Sequence, residues 1–280
     1  MTISLSAPSR RVMRSLSNGV LVIIGACFAL PLLWLVLASV DAHPSLAVQM
    51  PAVLTLDNFR AVLTPELTFG PLANSLLLSG GAALFTVVVG LLAAYPLSRY
   101  RMRITAPFMY GILFGTCLPI TAMMVPVYSL FVQLQLIDSL PGTVFFLTAS
   151  SLPMAIWMLK NFMDSVPVSL EEAAWMDGAS SLTTLRRIVV PLMRPGIAVV
   201  FIFTFVQAWG NFFVPFVLLL SPDKQPAAVS IFNFFGTNGS VAYGQLAAYS
   251  LVYSVPVLAL YVLVQRGLGG ASALAGAVKG

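Results

Sequence analysis

Apolar and polar positions in this chain alternate on the scale of whole membrane crossings. Charge-free stretches run over residues 15–40, 67–98, 104–137, 139–159, 195–222 and 225–265. About 20 apolar residues cross the hydrocarbon core of a bilayer, so each stretch holds one crossing helix. The last also holds a loop, for which Gly236-Thr237-Asn238-Gly239-Ser240 has the turn chemistry. The pattern predicts an all-α, polytopic membrane protein with six spans, over 19–40, 71–95, 107–131, 144–163, 196–220 and 243–265. The whole chain, 1–280, reads as one transmembrane domain. A secretory signal competes for the first span, because Arg10, Arg11 and Arg14 precede it. Its apolar run, Val20 to Val40, outlasts the roughly 7–15 residues of a signal core, so it is expected to stay as a helix.

Composition agrees. The chain is 59% hydrophobic and 8% charged, with mean hydropathy +0.96, whereas soluble domains are about 25% charged. Lipid must cover such a surface. With the N-terminus in the cytoplasm, twelve of the fourteen Lys and Arg fall inside and only Arg60 and Lys224 outside. That bias places both termini in the cytoplasm. Asp41–Gly70 then becomes an external loop, and its amphipathic piece Leu56–Leu63 is expected to lie on the membrane surface.

The side-chain chemistry excludes several classes. The basic residues hug the ends of apolar runs, with no basic and aromatic interleaving for nucleic acid. Cys27 and Cys117 fall in apolar runs, where thiols are expected to be buried as small hydrophobes, unpaired. His43 is a lone loop histidine, so no metal site is expected. No phosphate loop and no nucleophile–base constellation occurs, so no cofactor and no enzymatic chemistry is expected. Coupled carriers place ionisable groups inside the bilayer. Here only Lys160 and Asp164 approach a span, at its cytoplasmic end. Driving energy is therefore expected from outside this chain.

One polar island stands out, in the cytoplasmic loop 164–195 between spans four and five. Three of the nine acidic residues, Glu171, Glu172 and Asp177, fall there within seven positions. Ser169 and Glu172 have capping-box spacing, two glutamates suit the positive end of a helix dipole, and Gly178 suits a left-handed cap. These predict a helix over 170–177, with Leu170, Ala173, Ala174 and Asp177 on one face. Ser181 is placed to cap a second helix over 182–189 that ends before Pro191. The plain alternative is an ordinary loop, polar because it is wet.

The run Glu172-Ala173-Ala174-x-x-Asp177-Gly178-Ala179, with Leu185, Ile188 and Pro191 following, closely resembles the EAA loop of permease subunits of bacterial ATP-binding-cassette importers. Leu185 stands where a Phe is common and Val190 where a Leu is usual. Thr55-Leu56-Asp57-Asn58-Phe59, Asn74-Ser75-Leu76, Val125-Pro126-Val127-Tyr128-Ser129-Leu130 and Gly276-Ala277-Val278-Lys279-Gly280 resemble the carbohydrate-importer branch, of the maltose second-permease type. The resemblance implies that the loop forms a coupling helix docking in a cleft of the ATPase. It implies a second homologous permease, two ATPase subunits and an extracytoplasmic solute-binding protein as partners. It also implies residence in the bacterial inner membrane.

Span five carries Gln207, Trp209, Gly210 and Asn211. Amides beside an aromatic suit a sugar, whose apolar face packs on rings while its hydroxyls bond amides. Gln207 and Asn211, four apart, equally suit gluing two helices together, and both readings stay open. Related permeases commonly read Trp-Asn-Asp or Trp-Asn-Glu here; Gly210 and Asn211 stand in the last two places, without the acidic residue. A carbohydrate is the expected cargo. A sugar phosphate would want a cation in the pathway, and none lies mid-span. A self-sufficient secondary carrier and a non-transporting scaffold are the other classes.

Overall fold

The structure is a computed structural model that describes residues 10–100, 102–235 and 241–276. Arg101, Lys279, the expected loop Gly236–Ser240 and the end of the C-terminal motif lie outside the described residues. Among those described there is no β-strand, only the isolated bridges Asp41–Leu54 and Phe235–Val241. The chain divides into two compact units, Met1–Thr64 with Asn233–Val252, and Pro65–Phe232 with Tyr253–Gly280.

In the first unit α1 (Arg10–Ser39) presents its apolar side chains outward, Phe28 being 75% exposed. Among the described residues nothing covers this apolar surface. The segment read as a surface-lying amphipathic piece forms the short α2 (Asp57–Val62), whose Val62 is fully buried. Asn58 holds it in place, its Nδ2 donating to the Ser39 and Asp41 carbonyls at 3.2 and 2.8 Å.

The second unit is built around α3 (Gly70–Arg99) and α6 (Leu140–Asp164). Both start where the sequence allows. Pro71 sits in the first turn of α3 and Pro141 in that of α6, where a missing N–H costs nothing. Ser139 caps α6, its Oγ accepting from Gly142 N at 3.2 Å. The two helices pack through small residues, Ala82, Gly90 and Ala94 of α3 and Ala155 of α6. A Cβ on Gly90 would stand 2.7 Å from Leu159 Cδ1, so this glycine sets how closely the helices approach. Small residues serve this purpose in membrane helices, where association depends on packing and not on expelling water.

Four described helices are long and apolar enough to cross a membrane, Ser17–Ser39, Pro65–Arg99, Leu140–Asp164 and Tyr243–Arg266, and two bent pairs raise the possible number to six. Expected span three is one such pair: α4 (Thr105–Gly115) and α5 (Ile120–Gln133) meet at 94°. Pro119 is extended, and the helix restarts after it. The other pair is Ser181–Leu192 with Arg194–Trp209, bent by 78°, and expected span five is itself not one helix. It consists of α10 (Arg194–Trp209), a break at Gly210–Phe212, and α11 (Phe213–Leu218). Pro215 supplies the reason, because its ring crowds the carbonyl four residues back, that of Asn211. α13 (Tyr243–Gly276) contains expected span six.

The cysteines depart from expectation: both are exposed and not buried, Cys27 on the outward side of α1 and Cys117 in the turn after α4. The short helix α12 (Ala227–Ser230) is tied to α3, Ala227 N donating to Ser75 Oγ at 2.8 Å.

Candidate functional site

The polar island folds as α7 (Ser169–Met176). The capping box does not form. Val168 takes the N-cap position, and no side chain accepts from the helix's first amides. Glu172 is exposed while Glu171 is fully buried. Its carboxylate accepts from Tyr95 Oη at 2.9 Å and from Arg99 Nε at 2.5 Å. Arg99 also donates to the Val166 carbonyl at 3.1 Å. The island is thus bound to the end of α3. A buried charge survives only when paired and hydrogen-bonded, and this one is.

The other end of α7 behaves as expected. Gly178 has φ +85, Gly178 N donates to the Trp175 carbonyl at 3.0 Å, and Ala179 N to the Ala174 carbonyl at 2.9 Å. This is the paired-bond pattern of a Schellman cap. The buried residues of α7 are Glu171 and Ala174; of the expected face Leu170, Ala173, Ala174 and Asp177, only Ala174 is buried. Outward stand Glu172, Ala173, Asp177 and Met176, the last 88% exposed.

The second helix begins with Ser180, not Ser181, as its N-cap; its Oγ accepts from Thr183 N at 3.4 Å. It runs from α8 (Ser181–Thr184) through a π-helical turn, Leu185–Val189, into α9 (Val190–Leu192), and so passes Pro191. The π turn closes with Val190 N on the Leu185 carbonyl, and Pro191 sits in the first turn of the restarted helix. There a missing N–H is tolerated. Leu185 and Val189 enter a buried cluster with Leu159, Met163 and Met193. Ala179, Ile188 and Pro191 are half-buried. The motif therefore splits into an exposed half on α7 and an anchoring half after it.

A second feature lies where the two helix interruptions meet. A cavity of about 250 Å³ is lined by Thr116 beside the first break and by Gln207 and Asn211 at the second, with Ser150 and Ser151 of α6 and Phe203. The hydroxyls of Thr116, Ser150 and Ser151 donate to backbone carbonyls at 2.6–2.9 Å, so their lone pairs remain to accept. Asn211 Oδ1 accepts from Val214 N at 3.0 Å, which leaves its amide N–H groups to donate. Irregular backbone at membrane depth is tolerated where it lines a cavity. Ile120, Leu147, Met154 and Ala208 complete the lining, and an uncharged wall of apolar side chains with a few hydroxyls and amides suits a polyhydroxylated ligand.

Trp209 is placed elsewhere. It is 4% exposed and stacks on Phe205 and Tyr253, with centroids 5.5 and 5.3 Å apart. Tyr253 Oη donates to the Trp209 carbonyl at 2.7 Å, whereas the indole N–H is buried without a partner. The structure thus gathers Gln207 and Asn211 at the cavity with Ser150, Ser151 and Thr116, which the sequence did not single out. Gly210, between them, is exposed at the break.

At the far ends of these helices Asp138 closes a loop. Its carboxylate accepts from Lys224 Nζ at 2.7 Å, Ser221 Oγ at 2.6 Å and the amides of Leu220 and Ser221. The lysine, then the serine bonds, hold this carboxyl well below the usual carboxylate range.

Helices broken around a polar cavity, beside a capped amphipathic helix at the other end of the bundle, define a polytopic transport permease. The chain belongs to the family of binding-protein-dependent transport system inner membrane components, whose family model matches residues 86–270. It is 36% identical to an ABC transporter permease protein, ORF1, of Streptomyces antibioticus, over 82% of this chain and 100% of that one. It is 30% identical to the trehalose transport system permease protein SugB of Mycobacterium tuberculosis, over 90% of this chain and 92% of that one. Its fold is shared with the crystal structure of a bacterial ABC transporter involved in import of the acidic polysaccharide alginate, at a TM-score of 0.81 and 22% identity, over 94% of this chain and 99% of that one.

Proposed function

We propose that this chain is a non-catalytic transmembrane subunit of an ATP-driven importer for a neutral carbohydrate, residing in a bacterial inner membrane as a single permease domain. The observation that carries the reading is the uncharged cavity of Thr116, Ser150, Ser151, Gln207 and Asn211 at the junction of two helix breaks. Each bent segment counts as one crossing, which makes six spans with both termini cytoplasmic. The trehalose permease among its relatives supports a carbohydrate cargo, and the lack of a cation in the cavity wall weighs against a sugar phosphate.

A cavity this size holds part of an oligosaccharide, so a second homologous permease completes the pathway, and the uncovered surface of α1 is available to it or to lipid. A solute-binding protein delivers the sugar from outside. Two ATPase subunits bind the exposed half of the EAA motif, Glu172, Ala173, Asp177 and Gly178. The anchoring half, Ala174, Ala179, Leu185, Ile188 and Pro191, transmits their closure to the spans. The buried Arg99–Glu171 bond makes α3 follow α7.

The test is ATPase activity of this chain assembled with its partner permease and ATPase chains in lipid, with a panel of sugars on the cognate binding protein. Stimulation by one sugar, lost on Gly178→Leu, supports the reading and names the cargo. Failure to associate with any ATPase chain refutes it.

A further inference from the structure

A second cavity, larger than the one just assigned, lies elsewhere in this unit. It encloses about 590 Å³ among the end of α3, α4 and the end of α6. Its polar wall is Ser98, Arg103, Thr105, Lys160 and Asn161, beside Trp157. Three observations give it a ligand chemistry. Arg103 is exposed and meets no carboxylate in any ion pair among the described residues. Lys160 adds a second cation, shared with Asp164 at 2.6 Å. The Thr105 hydroxyl is buried yet makes no hydrogen bond, so the wall holds an unused polar group.

Position says where such a ligand comes from. α3 and α6 are apolar enough to cross a membrane and end here, at Arg99 and Asp164. The cavity therefore lies at the depth of the lipid headgroups. Its rim carries Tyr100, Tyr110 and Trp157, 51%, 75% and 38% exposed, and such amphipathic rings settle at that depth. From the rim the outer surface of α4 continues as exposed Ile104, Phe108 and Phe114, a path for acyl chains. A basic pocket between membrane helices, opening onto an apolar helix face, takes an acidic lipid.

We infer that this cavity binds the phosphate headgroup of an anionic phospholipid, through Arg103 and Lys160, with its acyl chains along α4. The site rests only on α3 and α6 being membrane spans, so it stands or falls apart from the choice of cargo. The lipid would wedge α4 against α6 beside Ser98, whose Oγ bonds both Asp164 and Arg99.

The experiment uses the assembled importer, delipidated in detergent and titrated with palmitoyl-oleoyl phosphatidylglycerol or with phosphatidylcholine of the same chains, with bound lipid counted by native mass spectrometry. Each basic residue at a membrane surface contributes about fivefold in affinity. With Lys160 held by Asp164, phosphatidylglycerol should therefore be retained about fivefold better, and Arg103→Gln should lower its binding about fivefold. Asp164→Asn frees Lys160 and should raise binding about fivefold, a gain that a misfolded protein cannot produce. Equal retention of the two lipids, or a preference untouched by these variants, overturns the site. Displacement by millimolar inorganic phosphate makes it an ion site and overturns the lipid. If the isolated chain holds the lipid and the assembled importer does not, a protein segment fills the cavity and the proposal fails.

Discussion

Arg99 Nε donates to Glu171 Oε1 at 2.5 Å between side chains 4% and 0% exposed, a charge pair wholly withdrawn from water that joins the end of one span to the polar island. Removing one partner of such a pair strands the other and costs about 3–5 kcal/mol. Arg99→Ala should therefore destabilise the chain by about that much, and Arg99→Met with Glu171→Leu should recover most of the loss. Thermal unfolding of the purified importer, read as a double-mutant cycle, gives the coupling. If the two single losses merely add, the pair does not bind α7 to α3.

Gly178 separates folding from docking. Its φ of +85 strains any side chain, yet a Cβ there meets nothing within 4 Å. Alanine and leucine should thus cost the fold alike, about 1–2 kcal/mol through the backbone. Docking is the opposite case, because a bulky side chain beside exposed Ala173 and Asp177 obstructs a partner and a methyl group does not. ATP hydrolysis coupled to uptake should survive Gly178→Ala substantially and be lost in Gly178→Leu. Equal activity in the two variants would remove α7 from the ATPase interface.

Asp138 predicts an acid dependence. Its folded pKa is depressed below the ordinary value of 3.8, first by Lys224 and then by the serine bonds. Such a group stabilises fully above its unfolded pKa, and the contribution is lost as pH falls through the folded value. Stability should be level from neutrality to about pH 5 and decline below about pH 4. Asp138→Asn should be less stable at neutral pH and flatter below that point. Parallel melting-temperature curves for the two proteins would show that the clamp contributes nothing.

Spans two and four were legible because each is an apolar run closed by charges; α3 (Gly70–Arg99) contains 71–95 and α6 (Leu140–Asp164) contains 144–163. The Gly178 cap was legible for a local reason, since its backbone bonds close within one turn of chain. The two broken spans were not, because proline in a membrane helix more often bends it than ends it. Pro119 and Pro215 look no different in sequence from Pro126, which lies inside α5. The burial of Glu171 was not legible for a different reason. Its partners, Tyr95 and Arg99, stand more than seventy positions earlier, and an acidic cluster does not reveal which member is satisfied. The available signal was a cation ending one span opposite a surplus acid.

Span five yields the last prediction, because the structure divides its amides from its tryptophan. Gln207 lines the cavity, and its side chain makes no hydrogen bond within the described residues. Trp209 lies in the stack from Phe205 to Tyr253. Gln207→Leu keeps the volume and removes only hydrogen-bonding capacity. A buried polar contact to a ligand is worth about 1–1.5 kcal/mol, so sugar-stimulated uptake should fall roughly tenfold at limiting sugar while assembly is unchanged. Trp209→Ala should do the reverse, losing about 3–5 kcal/mol of stability through the emptied stack. Uptake per assembled complex and thermal stability, measured on both variants, distinguish the roles. If Gln207→Leu disrupts assembly as severely as Trp209→Ala, the amide glues helices together and the cavity is not its workplace.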